Sequence, residues 1–165
     1  MALKRLKTCI VALCAVLISA TGAQARDNLT IGISQFPSTF HPSIDSMMAK
    51  TYILSMARRP ITTTDADWNL VCVLCVELPT IENGLARPEK TPDGKDGVAI
   101  TYKLRDDIRW GDGTPVTTRD VLFTWEVGRH PKSGVGNAEA YRRILSIDIH
   151  DDYSFTLHNE KLEFE

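Results

Sequence analysis

Residues 102–121 read Tyr102-Lys103-Leu104-Arg105-Asp106-Asp107-Ile108-Arg109-Trp110-Gly111-Asp112-Gly113-Thr114-Pro115-Val116-Thr117-Thr118-Arg119-Asp120-Val121, and three consecutive elements follow from their order. Tyr102 and Leu104 close an alternation in which Val98 and Ile100 lead, with Ala99, Thr101 and Lys103 between them, the period-two pattern of a strand. Just before it, Pro92 to Gly97 holds two Asp-Gly dipeptides, so the strand reads as the return arm of a hairpin. Trp110-Gly111-Asp112-Gly113 supplies a tight turn. Thr117 with Asp120 three residues on has the form of a capping box, in which the threonine accepts from a first-turn amide and the carboxylate reaches back. The helix so opened is expected to run to about Val127, with Val121, Leu122 and Trp125 as its apolar face and Gly128 and Pro131 ending it.

Toward the carboxyl end, Ile147 and Ile149 face Phe155 and Leu157 across His150-Asp151-Asp152-Tyr153, a second expected hairpin. Toward the amino end, Pro79 to Gly97 is rich in Pro and Gly, Leu70 to Leu78 is apolar, and Thr62 to Asp67 reads as a polar turn. A helix precedes these, capped by Asp45 or Ser46 and closed by Arg58, Arg59 and Pro60. Its Met48, Tyr52 and Met56 recur at spacing four and are expected to pack into the core. Leu29, Ile31 and Ile33 alternate as a strand, stopped by Phe36-Pro37. The pattern as a whole predicts a mixed α+β fold.

The first 25 residues carry a different pattern. Lys4, Arg5 and Lys7 start the chain, Cys9 to Ile18 is apolar, and Ala23-Gln24-Ala25 is a small-x-small site, so residues 1–25 read as a cleavable export signal. That apolar run is shorter than the roughly 20 residues a bilayer span needs, and Leu13 before Cys14 does not suit a lipid anchor. Removing those three basic residues from 19, against 21 acids, leaves a mature chain with about five excess negative charges. An acidic chain with no basic stripe does not suit nucleic acid as a partner.

Cys72 and Cys75 remain after the signal, spaced C-x-x-C among aliphatic neighbours. Those surroundings raise a thiol pKa rather than lower it, and in a strand an offset of three sends the two side chains to opposite faces. They are therefore expected to be buried or independently paired rather than a redox or metal pair. Ser34, Ser38 and Ser43 lack a nucleophile-elbow setting, and His41, His130, His150 and His158 show no metal spacing. His150 and His158 are expected to flank turns. Asp112 and Asp120 read as turn and cap residues rather than as a catalytic carboxylate pair. No enzyme, metal site or cofactor is implied.

The run from Tyr102 to Val121 strongly resembles the signature of the family 5 extracellular solute-binding proteins, the oligopeptide- and dipeptide-binding receptors of bacterial ABC importers. Trp110, Asp112, Gly113, Thr114, Pro115, Thr117, Asp120 and Val121 carry that motif. Phe40-His41-Pro42 stands where the family has Leu-Asp-Pro, with His41 a departure, and Val71 to Leu78 departs from the family's Pro-x-Leu-Ala pattern. The resemblance implies the amino-terminal third of a two-lobed, type II periplasmic-binding-protein-like fold, with a mixed sheet, hairpins and short helices. Residues 26–43 would begin the first ligand-binding lobe, and 44–165 would form its accessory subdomain up to the return. Ser46, Met47 and Met48, after the first strand, and Asn137, from the accessory loop, would be the ligand contacts.

By the same resemblance the function is periplasmic capture of di- or oligopeptides, or a similar small solute, and delivery to inner-membrane ABC permease subunits by a monomeric receptor. Residues 1–165 alone are expected to bind no peptide usefully, since capture buries the ligand between two lobes. The alternative of a different class is a small exported thiol or metal-binding protein using Cys72 and Cys75, which rapid thiol reactivity would reveal. Export through a Sec system is expected to leave Arg26 as the first residue; amino-terminal sequencing of the periplasmic fraction checks this, and a retained Met1 refutes it.

Overall fold

The structure is a computed structural model in which residues 28–161 are described. The export-signal reading of residues 1–25 lies outside them. Contacts divide the chain into a unit ending at Ser34 and one beginning at Gln35. In the first, residues 28–34 form no regular element, contrary to the strand expected there. Leu29, Ile31 and Ile33 are 84%, 53% and 40% exposed, and no described strand pairs with them. Alternation supplies a face, but a strand also needs a neighbour to take its backbone hydrogen bonds.

The second unit opens with helix α1, Met48–Ala57. Its N-cap is Met47, which makes no side-chain cap bond, rather than the expected Asp45 or Ser46. Nor does the Met48, Tyr52 and Met56 face enter the core: these side chains are 63%, 59% and 58% exposed, while Ala49 and Lys50 are buried. Next come β1, Thr62–Thr64, and β2, Leu70–Cys72, an antiparallel pair. Half of the expected polar turn is thus strand, and the turn proper is held by Asp65, whose Oδ1 accepts the amides of Asp67 and Asn69, each at 2.9 Å.

Strands β3, Ala86–Lys90, β4, Asp96–Lys103, β5, Ile144–Ile149, and β6, Ser154–Asn159, form an antiparallel sheet in the order β3-β4-β6-β5. Both expected hairpins are present, with Ile147 opposite Leu157 and Ile149 opposite Phe155. β3 lies inside the segment read as Pro- and Gly-rich; Pro88 is tolerated because β3 is an edge strand. Register places Ile100, Tyr102, Phe155, Leu157, Ile147 and Ile149 on one face, and Thr101, Thr156, His158 and Asp148 on the other. The tightest part of the core lies at the end of β4, where Leu104, Cys75 and Phe155 are 2%, 3% and 0% exposed. There the backbone sews segments together: Leu104 N donates to Tyr153 O at 2.7 Å, Arg105 N to Leu74 O at 2.9 Å, and Val76 N to Lys103 O at 2.8 Å.

Helix α2, Thr118–Arg129, starts at the expected Thr117 cap. Asp120 Oδ2 accepts the Thr117 amide at 2.8 Å, and the reciprocal contact of the Thr117 side chain is present. Thr118, 1% exposed, ties this start to the β5–β6 turn through its amide to Asp152 O and its hydroxyl to Asp151 O, each at 2.9 Å. Gly128 does not end α2 but lies buried within it. A Cβ there would sit 2.4 Å from the ring of Tyr141, on the short helix α3, Ala138–Arg142, so glycine is what lets the two helices approach. Trp125 Nε1 completes the junction by donating to Tyr141 O and Ile144 O at 3.1 and 3.2 Å. No helix among the described residues is long and apolar enough to cross a membrane.

His158 sits within β6 rather than beside a turn. Its Nδ1 lies 2.9 Å from Glu89 Oε1 on β3 and its Nε2 3.1 Å from Asp148 Oδ2 on β5, so the ring, when protonated, donates to both edge strands. Burial pulls its pKa down, but the hydrogen bonds to Glu89 and Asp148 outweigh this and raise it above 6.5. A raised folded-state pKa gives stability that is full below about 6.5 and lost as pH climbs through the folded value. Wild type should therefore lose urea stability as pH rises above about 6.5, and His158→Gln should flatten that slope. Gly128→Ala should lower stability by about 1–3 kcal/mol despite alanine's better helix propensity, read as a fall in urea midpoint.

Candidate ligand-contact site

The loop ahead of α1 is knit from short-range polar contacts. Ser38 Oγ donates to Asp45 Oδ2, the His41 amide to Thr39 Oγ1 at 3.0 Å, and the Ser43 amide to His41 Nδ1 at 3.2 Å. Asp45 adopts φ 55°, a left-handed conformation that aspartate accepts more readily than most residues. Beneath the loop lies Lys50, 3% exposed, whose Nζ donates to His41 O at 3.0 Å, Asp45 O at 2.6 Å and Ile44 O. An ammonium has three donors, and here each meets a carbonyl. A buried ammonium without acceptors would be costly, so the loop carbonyls stabilise the lysine as the lysine holds the loop.

The expected ligand contacts lie on and beside this loop. Met48 begins α1 and is exposed, Met47 is its N-cap and half-buried, and Ser46 is exposed. Asn137, exposed, is the N-cap of α3 and makes no side-chain cap bond. The loops bearing the two groups touch, through Gly136 N donating to Ser43 O at 2.8 Å. Two segments far apart in sequence are therefore neighbours in space. Sequence reading missed Lys50, although a cation in the first turn of a helix runs against the macrodipole and marks a position held by something else.

The signature residues are engaged in backbone work. Asp112 Oδ1 accepts the Thr114 amide at 2.9 Å and its hydroxyl at 2.7 Å, and those two bonds, the amide first, hold the carboxyl below its ordinary pKa. Gly113 sits at φ 90°, and Trp110 N closes the turn on Thr114 O at 2.8 Å, leaving the indole half exposed. Arg109 and Pro115 bridge below it, and Val121 begins the half-buried face of α2. A concavity of about 800 Å³ lies elsewhere, lined by Lys103, Arg105, Asp106, Asp107, Asp151, Asp152 and their neighbours, with none of the expected contacts in its wall. Arg105 pairs with Asp107 at 2.6 Å and the Tyr153 amide with Asp151 at 2.7 Å, so much of its charge serves the framework.

Cys72 and Cys75 form a disulfide with each other, Cα to Cα 5.1 Å, rather than being separate or independently paired. β2 ends at Cys72, and the bend after it, where the Val73 and Leu74 amides both donate to Ile61 O, brings the two sulfurs to one side. Among the described residues no group of three His, Cys, Asp or Glu side chains could hold a metal.

Comparison with known proteins agrees with the signature. The family described as "Bacterial extracellular solute-binding proteins, family 5 Middle" matches residues 80–164. The probable D,D-dipeptide-binding periplasmic protein DdpA of Escherichia coli (strain K12) is 33% identical over 142 residues, 84% of this chain and 25% of that protein. The oligopeptide-binding protein OppA of Bacillus subtilis (strain 168) is 24% identical over 111 residues, 67% of this chain and 18% of that protein. Among solved structures, the oligopeptide-binding protein of Thermus thermophilus complexed with pentapeptide superposes with TM-score 0.64 at 34% identity, over 72% of this chain and 19% of that one. The chain spans about a quarter or less of the length of these relatives. It belongs to the bacterial extracellular solute-binding proteins, family 5.

Proposed function

We propose that this chain is part of the substrate-binding component of a bacterial ABC importer, capturing di- or oligopeptides in the periplasm and handing them to membrane permease subunits without chemistry. Membership of family 5 carries the reading. The relatives named above are described as peptide-binding proteins, two of them by way of an oligopeptide and one a D,D-dipeptide. The touching loops at Ser43 and Gly136 support it, because they set Ser46, Met47, Met48 and Asn137 on adjoining segments. An exposed methionine beside a polar, hydrogen-bonding loop suits ligands whose backbone is constant and whose side chains vary.

The receptor acts as a monomer, takes no cofactor or metal, and binds no nucleic acid. Cys75 is buried beside the end of β4, and among the described residues no group of three ligating side chains includes either cysteine, so nothing specific favours the thiol or metal alternative.

The test is calorimetric titration of the longest chain the gene encodes with a mixed di- to pentapeptide library, and saturable binding is the expected result. Met48→Asp is expected to weaken that binding without lowering the melting temperature, because the side chain is 63% exposed and supports little of the fold. Equal affinity in the variant removes Met48 from the contact set.

A further inference from the structure

Lys50 occupies the third position of α1, whose first turn contains no acidic residue and whose N-cap makes no side-chain bond. The helix macrodipole disfavours a cation there, since the amino-terminal end of a helix is itself positive. The ammonium is nevertheless buried, and among the described residues it forms no ion pair; its partners are the carbonyls of His41, Ile44 and Asp45. Local rules are broken in folded proteins where another requirement overrides them. Here the requirement is visible in what the carbonyls belong to: the loop that ends at Ser46 and Met47 and that bonds, through Ser43, to the loop carrying Asn137.

We propose that Lys50 is a positioning residue for ligand capture: its ammonium holds the carbonyls of His41, Ile44 and Asp45 inward and leaves that of Ser43 to accept the Gly136 amide, so that the loop presents Ser46 to Met48 outward in one conformation. Preorganising a contact loop removes an ordering cost from binding, so the effect is on affinity. The assignment rests on the peptide-receptor reading. It adds a residue that contacts the loop rather than the ligand.

The variant is Lys50→Met in the longest chain the gene encodes, which keeps an unbranched apolar stem and removes the three donors. Hydrogen exchange at the Gly136 amide, whose acceptor is Ser43 O, reports the loop, and calorimetry with a mixed di- to pentapeptide library reports capture. The expected result is Gly136 exchange faster by about tenfold or more, with amides of β4 and β6 unchanged. Peptide affinity is expected to fall by about tenfold. If Lys50→Met does not fold, Lys50→Ala is measured with propylammonium or propanol added; recovery with the amine alone supports the role, and equal recovery with both, or none with either, overturns it. Unchanged Gly136 protection overturns it, as does lost protection with unchanged affinity. If wild type and Lys50→Met bind equally, the receptor reading stands without Lys50. A wild-type chain that binds no member of the library overturns the receptor reading, and the positioning role falls with it.

Discussion

Tyr102 and Phe155 stand opposite one another across the β4–β6 ladder, ring centroids 5.7 Å apart, and their register settles which face of the sheet is apolar. A slip of one residue would turn Phe155, now fully buried, to the polar side and bring Thr156 and His158 into its place. From the same register follow the reach of His158 to both edge strands and the approach of Leu104 to Tyr153 and Cys75. The two-stranded sheet and α2 are tied to this ladder, one through the Leu74 to Val76 segment and the other through Thr118 on the β5–β6 turn.

What could be read from the sequence was local in its physics. The Asp93-Gly94 turn, the Thr117 and Asp120 box and the Asp112 turn depend on residues within a few positions of each other and formed as expected, whereas Asp96-Gly97, the second expected turn pair, begins β4. β3, the outgoing arm that the first hairpin requires, was given no residues of its own because an edge strand tolerates a proline and charges that a central strand would not. Gly128 looked like a helix stop because glycine has two uses, and only the ring of Tyr141 shows that close approach was the one at work. The methionine stripe had the right spacing for a buried face, yet spacing identifies a face without saying what covers it.

The loops expected to meet ligand show the same division. Family resemblance pointed to Ser46, Met47, Met48 and Asn137 as a set, and the structure makes their loops neighbours through one backbone bond. The lysine beneath them left one trace, a cation in the first turn of a helix, but its partners were illegible because they are carbonyls, which every residue has. A carboxylate partner would have left a trace in the sequence; a carbonyl partner leaves none.

The Cys72 and Cys75 bond has a consequence for how the chain matures. Between Arg26 and Glu165 these are the only cysteines, so within that span oxidation has a single possible product and no scrambled isomer to correct. The ring they close is short enough to form in a nearly unfolded chain, and for that reason it removes little disorder from the unfolded state. Its effect is on direction. The chain leaving β2 is bent back at once, and Cys75 is delivered beside Leu104 before the rest of the sheet must find it. In an oxidising compartment this bond needs only an electron acceptor, and a reduced chain would have to make the same bend by packing alone.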